Sequence, residues 1–191
     1  DVDPMTGNID PQQVEQAVHD LTFSRSAAQK WLPPKGVSDS GQLKGMIAID
    51  VFGQPADFDA LRTITDPFQL KVIEDSCEAL GAEYKNRKAG TLGDFGVFAF
   101  YPNKQITTGE GGLVITNHDE DADKIRAMRN QGRAPGDTWL EHTYLGYNYR
   151  MDELSAALGA AQMKRIQELM AARQRVADWY RAELSSVPGI T

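Results

Sequence analysis

A lysine delivered by the end of a short apolar strand can do covalent chemistry that a lysine on an open surface cannot. Val97-Phe98-Ala99-Phe100-Tyr101 reads as such a strand; it stops at Pro102-Asn103, and Lys104 enters a loop. The chain turns back through Thr107-Thr108-Gly109-Glu110-Gly111-Gly112 into a second apolar run, Leu113-Val114-Ile115-Thr116. An ammonium partly withdrawn from water loses its proton near neutral pH, and the free amine condenses with an aldehyde or ketone. A loop lysine is otherwise a solvated charge, so Lys104 acquires chemical meaning only with a partner.

That partner is expected upstream, in Leu70-Lys71-Val72-Ile73-Glu74-Asp75, a short run with β-branched residues that ends on carboxylates. In an open α/β sheet the carboxyl ends of the strands line the ligand crevice, so an acid there is expected to face the same space as a lysine leaving a neighbouring strand. A pyridine-type cofactor needs both groups: a carboxylate that keeps its ring nitrogen protonated, and a lysine that holds its aldehyde as a Schiff base. Asp75 has another reading, as the N-cap of a helix over Ser76 to Leu80.

Between and around these residues the chain resembles a known family. IEDSCEALGAEYKNRKAGTLGDFGVFAFYPNKQITTGEGG is similar to the active-site half of the nucleotide-sugar aminotransferases of the DegT/DnrJ/StrS family. VFGQPADFDAL before it and HTYLGYNYRMDELSAALGAAQ after it match in the same order. The resemblance runs from about Asp1 to Leu184 and is nearest to perosamine-synthase-like members, which carry Glu at the position of Glu78. It implies pyridoxal 5'-phosphate as cofactor and the three-layer, mostly parallel α/β sheet of fold-type-I aminotransferases, of which this chain would be part of the large domain.

By the same resemblance Lys104 is the catalytic, cofactor-holding lysine and Asp75 the carboxylate at the ring nitrogen. Glu78 lies near the phenolic oxygen, and Asn148 reaches the site of a neighbouring subunit. Three positions separate Asp75 from Glu78, so one helical turn would bring both to one ligand; Glu78 is otherwise a first-turn acid favoured by a helix dipole. Arg150 binds the phosphates of a nucleotide-linked keto sugar or anchors the next helix. Relatives place a serine where this chain has Ala99, which removes one hydroxyl from the phosphate clamp. The expected reaction transfers an amino group from an amino acid, glutamate by expectation, to the keto sugar, in a homodimer with shared sites. Rival readings are a sugar dehydratase, whose members typically replace the lysine by histidine, and a non-catalytic scaffold or sensor on the same fold.

The remaining features bound these readings. The chain has 191 residues and a net charge of −7; a surplus of carboxylates argues against nucleic acid as partner. Its one cysteine, Cys77, excludes an intrachain disulfide and reads as a buried inert thiol or, alternatively, a reactive one. His19, His118 and His142 lack metal-ligand spacing, so no metal is expected. No apolar run reaches the about 18 residues of a membrane span and no signal-peptide pattern is visible, so no membrane association and a cytoplasmic location are expected.

In chain order, Asp1 to Pro4 reads as the tail of a strand in progress. Asn8-Ile9-Asp10-Pro11 opens a helix with Val14, Ala17, Val18 and Leu21 inward. Thr22 to Gly45 is expected to be a loop or insertion around Trp31, which either packs beneath it or meets a substrate or partner. Met46 to Phe52 reads as a strand buried on both faces, Asp57 caps a helix through Leu61, and Tyr84 to Arg87 forms a hairpin tip. Asp119 to Asn130 is expected as a polar helix with Ile125 and Met128 inward, and Gln131 to Tyr149 as an irregular stretch with an aromatic cluster of Trp139, Tyr144, Tyr147 and Tyr149. From Met151 one long helix is expected over three dozen residues, stopped by Pro188-Gly189. Domain organisation follows: 1–150 as a partial cofactor-binding large domain, and 151–191 as a helix leading towards a small C-terminal domain outside this fragment.

Overall fold

The computed structural model describes residues 1–33 and 41–190; Pro34, Gly36, Ser38 and Ser40 of the expected insertion lie outside them. The chain divides into two compact units, one of Asp1–Ala99 with Gly112–Arg150, the other of Phe100–Gly111 with Met151–Thr191.

The first unit is built on a sheet in which β1 (Gly45–Ile49), β2 (Lys71–Asp75) and β5 (Phe95–Ala99) run parallel, and β6 (Gly112–Ile115) pairs antiparallel with β5. A separate hairpin joins β3 (Glu83–Tyr84) to β4 (Arg87–Lys88) through Lys85 and Asn86, both at positive φ, as the expected tip requires.

Local chemistry starts the helices where the sequence suggests. Asp10 accepts from the Gln12 amide and Pro11 occupies the first turn of α1 (Pro11–Phe23). A four-residue helix α2 (Arg25–Ala28) follows, and Asp57 accepts from the Ala60 amide to cap α3 (Phe58–Thr65). Val14 and Val18 of α1 and Phe58 and Leu61 of α3 pack on Ala48 and Val72 of the sheet; burying each large apolar chain stabilises the unit by about 1.5–3 kcal/mol.

Only this face of β1 is covered within the unit. Ile47 and Ile49 point the other way and are 58% and 48% exposed, so the expectation of a strand buried on both faces is corrected, since that face is not covered among the described residues; β1 is also the edge strand of the described sheet. It also ends early, at Asp50, where a 3-10 turn takes over and Phe52 adopts φ 54°. Asp1 to Pro4 is not a strand either, since it contributes only the isolated bridge of Val2 with Ile9. Trp31 packs within its own unit, its indole N–H donating to Asp20 Oδ2 at 3.0 Å.

Two further corrections concern helices. In α4 (Asp119–Arg129) the buried residue is Ala127, whereas Met128 is 38% exposed. The expected single helix after Met151 is two, α5 (Glu153–Met163) and α6 (Ile166–Leu184). No glycine or proline marks the break; Arg165 leaves helical geometry and its guanidinium binds Glu168 in the first turn of α6 at 2.8 and 3.0 Å. Among the described residues no helix is long and apolar enough to cross a membrane.

Candidate active site

At the carboxyl ends of β1 and β2 the first unit gathers a set of acids. Asp75 shares a register position with Ile49 on β1 and Val97 on β5, half-buried on the face that α1 and α3 leave uncovered. Its Oδ1 accepts from the Cys77 amide at 3.1 Å, and Ser76 to Leu80 forms turns rather than the expected helix. Asp75 therefore caps a two-residue turn, not a helix, and both the helix-dipole reading of Glu78 and the one-turn spacing that would have carried it to Asp75's ligand lose their basis. Glu78 is also half-buried, and its Oε2 accepts from the Phe52 amide at 3.0 Å, which ties the loop after β2 to the turn after β1.

Beneath them lies an acid that the apolar pattern of the β1 segment concealed. Asp50 is fully buried; its Oδ2 accepts from Ser76 Oγ at 2.7 Å and its Oδ1 from the Ala56 amide at 3.0 Å. Burial raises its pKa to about 6, against the pull of those two donors and with the help of the nearby Glu74. The Asp50 amide donates to the Asp75 carbonyl at 3.0 Å, so Asp50 fixes the backbone of Asp75 and the side chain of Ser76 that follows it. Glu74, equally buried, accepts from the amides of Gly90 at 2.6 Å, Leu92 at 2.6 Å and Gly93 at 3.1 Å. The turn that feeds β5 is thus fastened to the strand that carries Asp75.

Asn148 and Arg150 are exposed, at the end of an excursion whose neck is fastened to α4. The amides of Gln131, Tyr147 and Tyr149 bond the carbonyls of Tyr147, Met128 and Arg129, and the Tyr144 amide bonds the Gly132 carbonyl at 3.0 Å. The chains approach so closely that a Cβ on Gly132 would lie 1.7 Å from the Tyr144 carbonyl oxygen. Arg150 donates from Nε to Asn148 Oδ1 at 3.0 Å and from Nη1 to Asn130 Oδ1 at 3.1 Å. The expected aromatic cluster resolves into pairs: Tyr147 stacks on Tyr149, Trp139 lies against Arg133, and Tyr144 lies against Lys124.

Against the end of α4 is an open cavity of about 500 Å³, lined by Arg126, Arg129, Arg133 and Arg150 together with Asp123 and Asp137. Both acids already have partners. Asp123 binds Arg126 at 2.8 Å, and Asp137 accepts from the Ala134 amide and the Thr143 hydroxyl, contacts that hold its carboxyl below the usual range. Arg133 Nε is buried with no hydrogen-bond partner among the described residues. An anion would satisfy it.

In the second unit Lys104 is half-buried in the loop from Phe100 to Gly111. Its amide donates to the Tyr101 carbonyl at 3.0 Å, and the loop closes through Phe100 N to Gly111 O and Thr108 N to Phe100 O, both 2.9 Å.

A family model describing the DegT/DnrJ/EryC1/StrS aminotransferases matches residues 1–191. The chain belongs to this family. A GDP-perosamine synthase of Caulobacter vibrioides is 37% identical over 185 residues, 97% of this chain and 44% of that protein. Among solved structures, a family aminotransferase from Brucella abortus superposes with a TM-score of 0.81 at 30% identity, over 100% of this chain and 48% of its own. An E. coli GDP-4-keto-6-deoxy-D-mannose-3-dehydratase with bound hydrated PLP gives 0.76 at 26% identity, over 98% and 47%. The chain spans about half the length of the relatives it matches, and the mostly parallel α/β sheet expected from the sequence is the fold it shares with them.

The side chains present fit the cofactor of such enzymes. Asp75 keeps one carboxylate oxygen on Cys77 and has a second for a protonated ring nitrogen. Asn148 gives its amide oxygen to Arg150, which leaves its NH2 as a donor for an anionic group. Asp50 and Glu74, which hold the backbone around Asp75 and the turn feeding β5, were missed from sequence. The signal for Asp50 was its position, a lone carboxylate at the end of an apolar strand run.

Proposed function

We propose that the whole protein is a pyridoxal-phosphate-dependent aminotransferase that moves an amino group from an amino acid, glutamate by expectation, to a nucleotide-linked keto sugar in amino-sugar biosynthesis. The observation that carries this reading is Lys104, a lysine set between two paired strands in a chain of this family, where a dehydratase would be expected to carry histidine. The relative's name, GDP-perosamine synthase, supports a sugar nucleotide as substrate.

When bound, the cofactor supplies an electron sink for breaking a bond at the amino-bearing carbon. This chain's residues do the rest. Lys104 holds the cofactor's aldehyde carbon and afterwards moves a proton as acid and base. Asp75 keeps the ring nitrogen protonated, Glu78 faces the phenolic oxygen, and Asn148 donates to the cofactor phosphate of a neighbouring subunit in a homodimer. Arg150 and the arginine cavity beside it suit the diphosphate of the sugar nucleotide. The protein would work in the cytoplasm.

The test uses the whole protein. Pyridoxal phosphate is expected to produce absorbance at the edge of the visible that Lys104→Ala abolishes, and glutamate is expected to convert the cofactor to its pyridoxamine form. Unchanged absorbance in Lys104→Ala would refute the assignment of the lysine. Cofactor binding without conversion by any amino acid would favour a scaffold on the same fold.

A further inference from the structure

The lysine loop is held from outside by a residue that none of the expectations above included. Gln162, half-buried on α5, meets both backbone groups of Thr107: its Oε1 accepts from the Thr107 amide at 3.1 Å and its Nε2 donates to the Thr107 carbonyl at 2.5 Å. The second proton of Nε2 reaches the Leu158 carbonyl on the preceding turn at 3.2 Å. One side chain thus donates twice and accepts once, a pattern that glutamate cannot reproduce and leucine cannot begin.

Helix and loop are also built to approach. One turn before Gln162 stands Gly159, and a Cβ there would lie 2.9 Å from Thr108 Cγ2. Thr107 itself is drawn inward by its hydroxyl, which donates to the Phe100 carbonyl at 3.0 Å and accepts from the Gly109 amide at 2.9 Å. From α6, Arg173 donates to the carbonyl of Lys104 at 3.1 Å. The loop backbone is therefore gripped by a helix side chain three residues beyond the lysine, and at the lysine's own carbonyl.

We propose that Gln162 is a positioning residue for Lys104: its two bonds to Thr107, with Arg173 in support, fix the backbone from which the lysine amine reaches the cofactor aldehyde. This rests on the functional reading above, because it gives Lys104 something to reach. A reactive amine needs its backbone fixed more closely than a free loop allows, and to the loop's own hydrogen bonds at the Lys104 amide and the Thr107 hydroxyl these contacts add a hold on the Thr107 amide and carbonyl and on the Lys104 carbonyl.

The experiment compares the whole protein with its Gln162→Glu, Gln162→Leu and Arg173→Gln variants by two measurements. The first is amide hydrogen exchange across residues 104–111 without cofactor. Removing two hydrogen bonds is expected to speed exchange there about tenfold in Gln162→Leu, with Gln162→Glu between it and the parent. The second is the fraction of Lys104 that borohydride fixes to pyridoxal phosphate at subsaturating cofactor, read by peptide mass. The fraction is expected to fall severalfold in Gln162→Leu and to recover in part in Gln162→Glu, which keeps the acceptor. Faster exchange with unchanged fixation would make Gln162 a structural tether and overturn the proposal, as would unchanged exchange. Should Gln162→Leu not fold, the exposed Arg173→Gln variant carries the same test with a smaller expected effect, and no effect on either measurement would overturn the proposal. If the parent fixes no cofactor on Lys104, the functional reading fails, while hydrogen exchange still judges the grip on the loop.

Discussion

Replacing Asp50 by asparagine should stabilise the chain above neutral pH and not in acid. A buried carboxyl raised from 3.8 to about 6 keeps its proton in the folded chain while the unfolded chain releases it. Stability therefore falls as pH rises from about 4 to 6, because the folded state binds more protons there. At about 1.4 kcal/mol per pH unit, the ionised form is disfavoured by about 3 kcal/mol above that window. Asparagine keeps an oxygen for the Ala56 amide and turns its NH2 to Ser76 Oγ, which can accept but then lacks its own acceptor, at a cost of about 1 kcal/mol. The variant is thus expected to be about 2 kcal/mol more stable at pH 8, and about 1 kcal/mol less stable at pH 4, where the aspartic acid is neutral. Urea unfolding of both proteins at the two pH values measures this. The difference cancels carboxyls such as Asp94, whose burial is outweighed by the Val72 amide, Lys71 and Arg62 so that its pKa is lowered. A difference that does not change with pH would refute the argument.

Glu74→Gln sets an NH2 against one or more of the three amides that the carboxylate now accepts, and should destabilise the first unit by about 3 kcal/mol or more, read as a lowered urea midpoint at pH 7. Phe52 is 90% exposed at φ 54°; Phe52→Asn should raise stability by about 0.5–1 kcal/mol, because asparagine tolerates this conformation and little packing is lost.

What could be read from sequence was local chemistry. Asp10-Pro11, Asp57 and the Lys85-Asn86 tip each signal their structure within a few residues, and β2, β5 and β6 announce themselves by short apolar runs, although β5 starts at Phe95 rather than Val97. The misreadings fall where partners are distant in the chain. Ser76 to Leu80 has the composition of a helix, yet Ser76 is bound to Asp50, 26 residues away. The break after α5 has no breaker residue, and Gln162 finds Thr107 55 residues upstream. For the candidate site, residue types singled out Lys104 and Asp75; nothing in the neighbourhood of either names the buried acids beside Asp75 or the Gln162 amide on the lysine loop.

The neck at Gly132 and Tyr144 has an evolutionary consequence. Since the two strands of backbone are joined there, the segment from Arg133 to Thr143 is an arch closed at its base, tied back through the Arg133 amide to Asn130 and through the His142 ring to Gln131, and doubling its length would add only about 0.6 kcal/mol of closure entropy. Such an arch gives the scaffold a place to change what it recognises while its chemistry stays put.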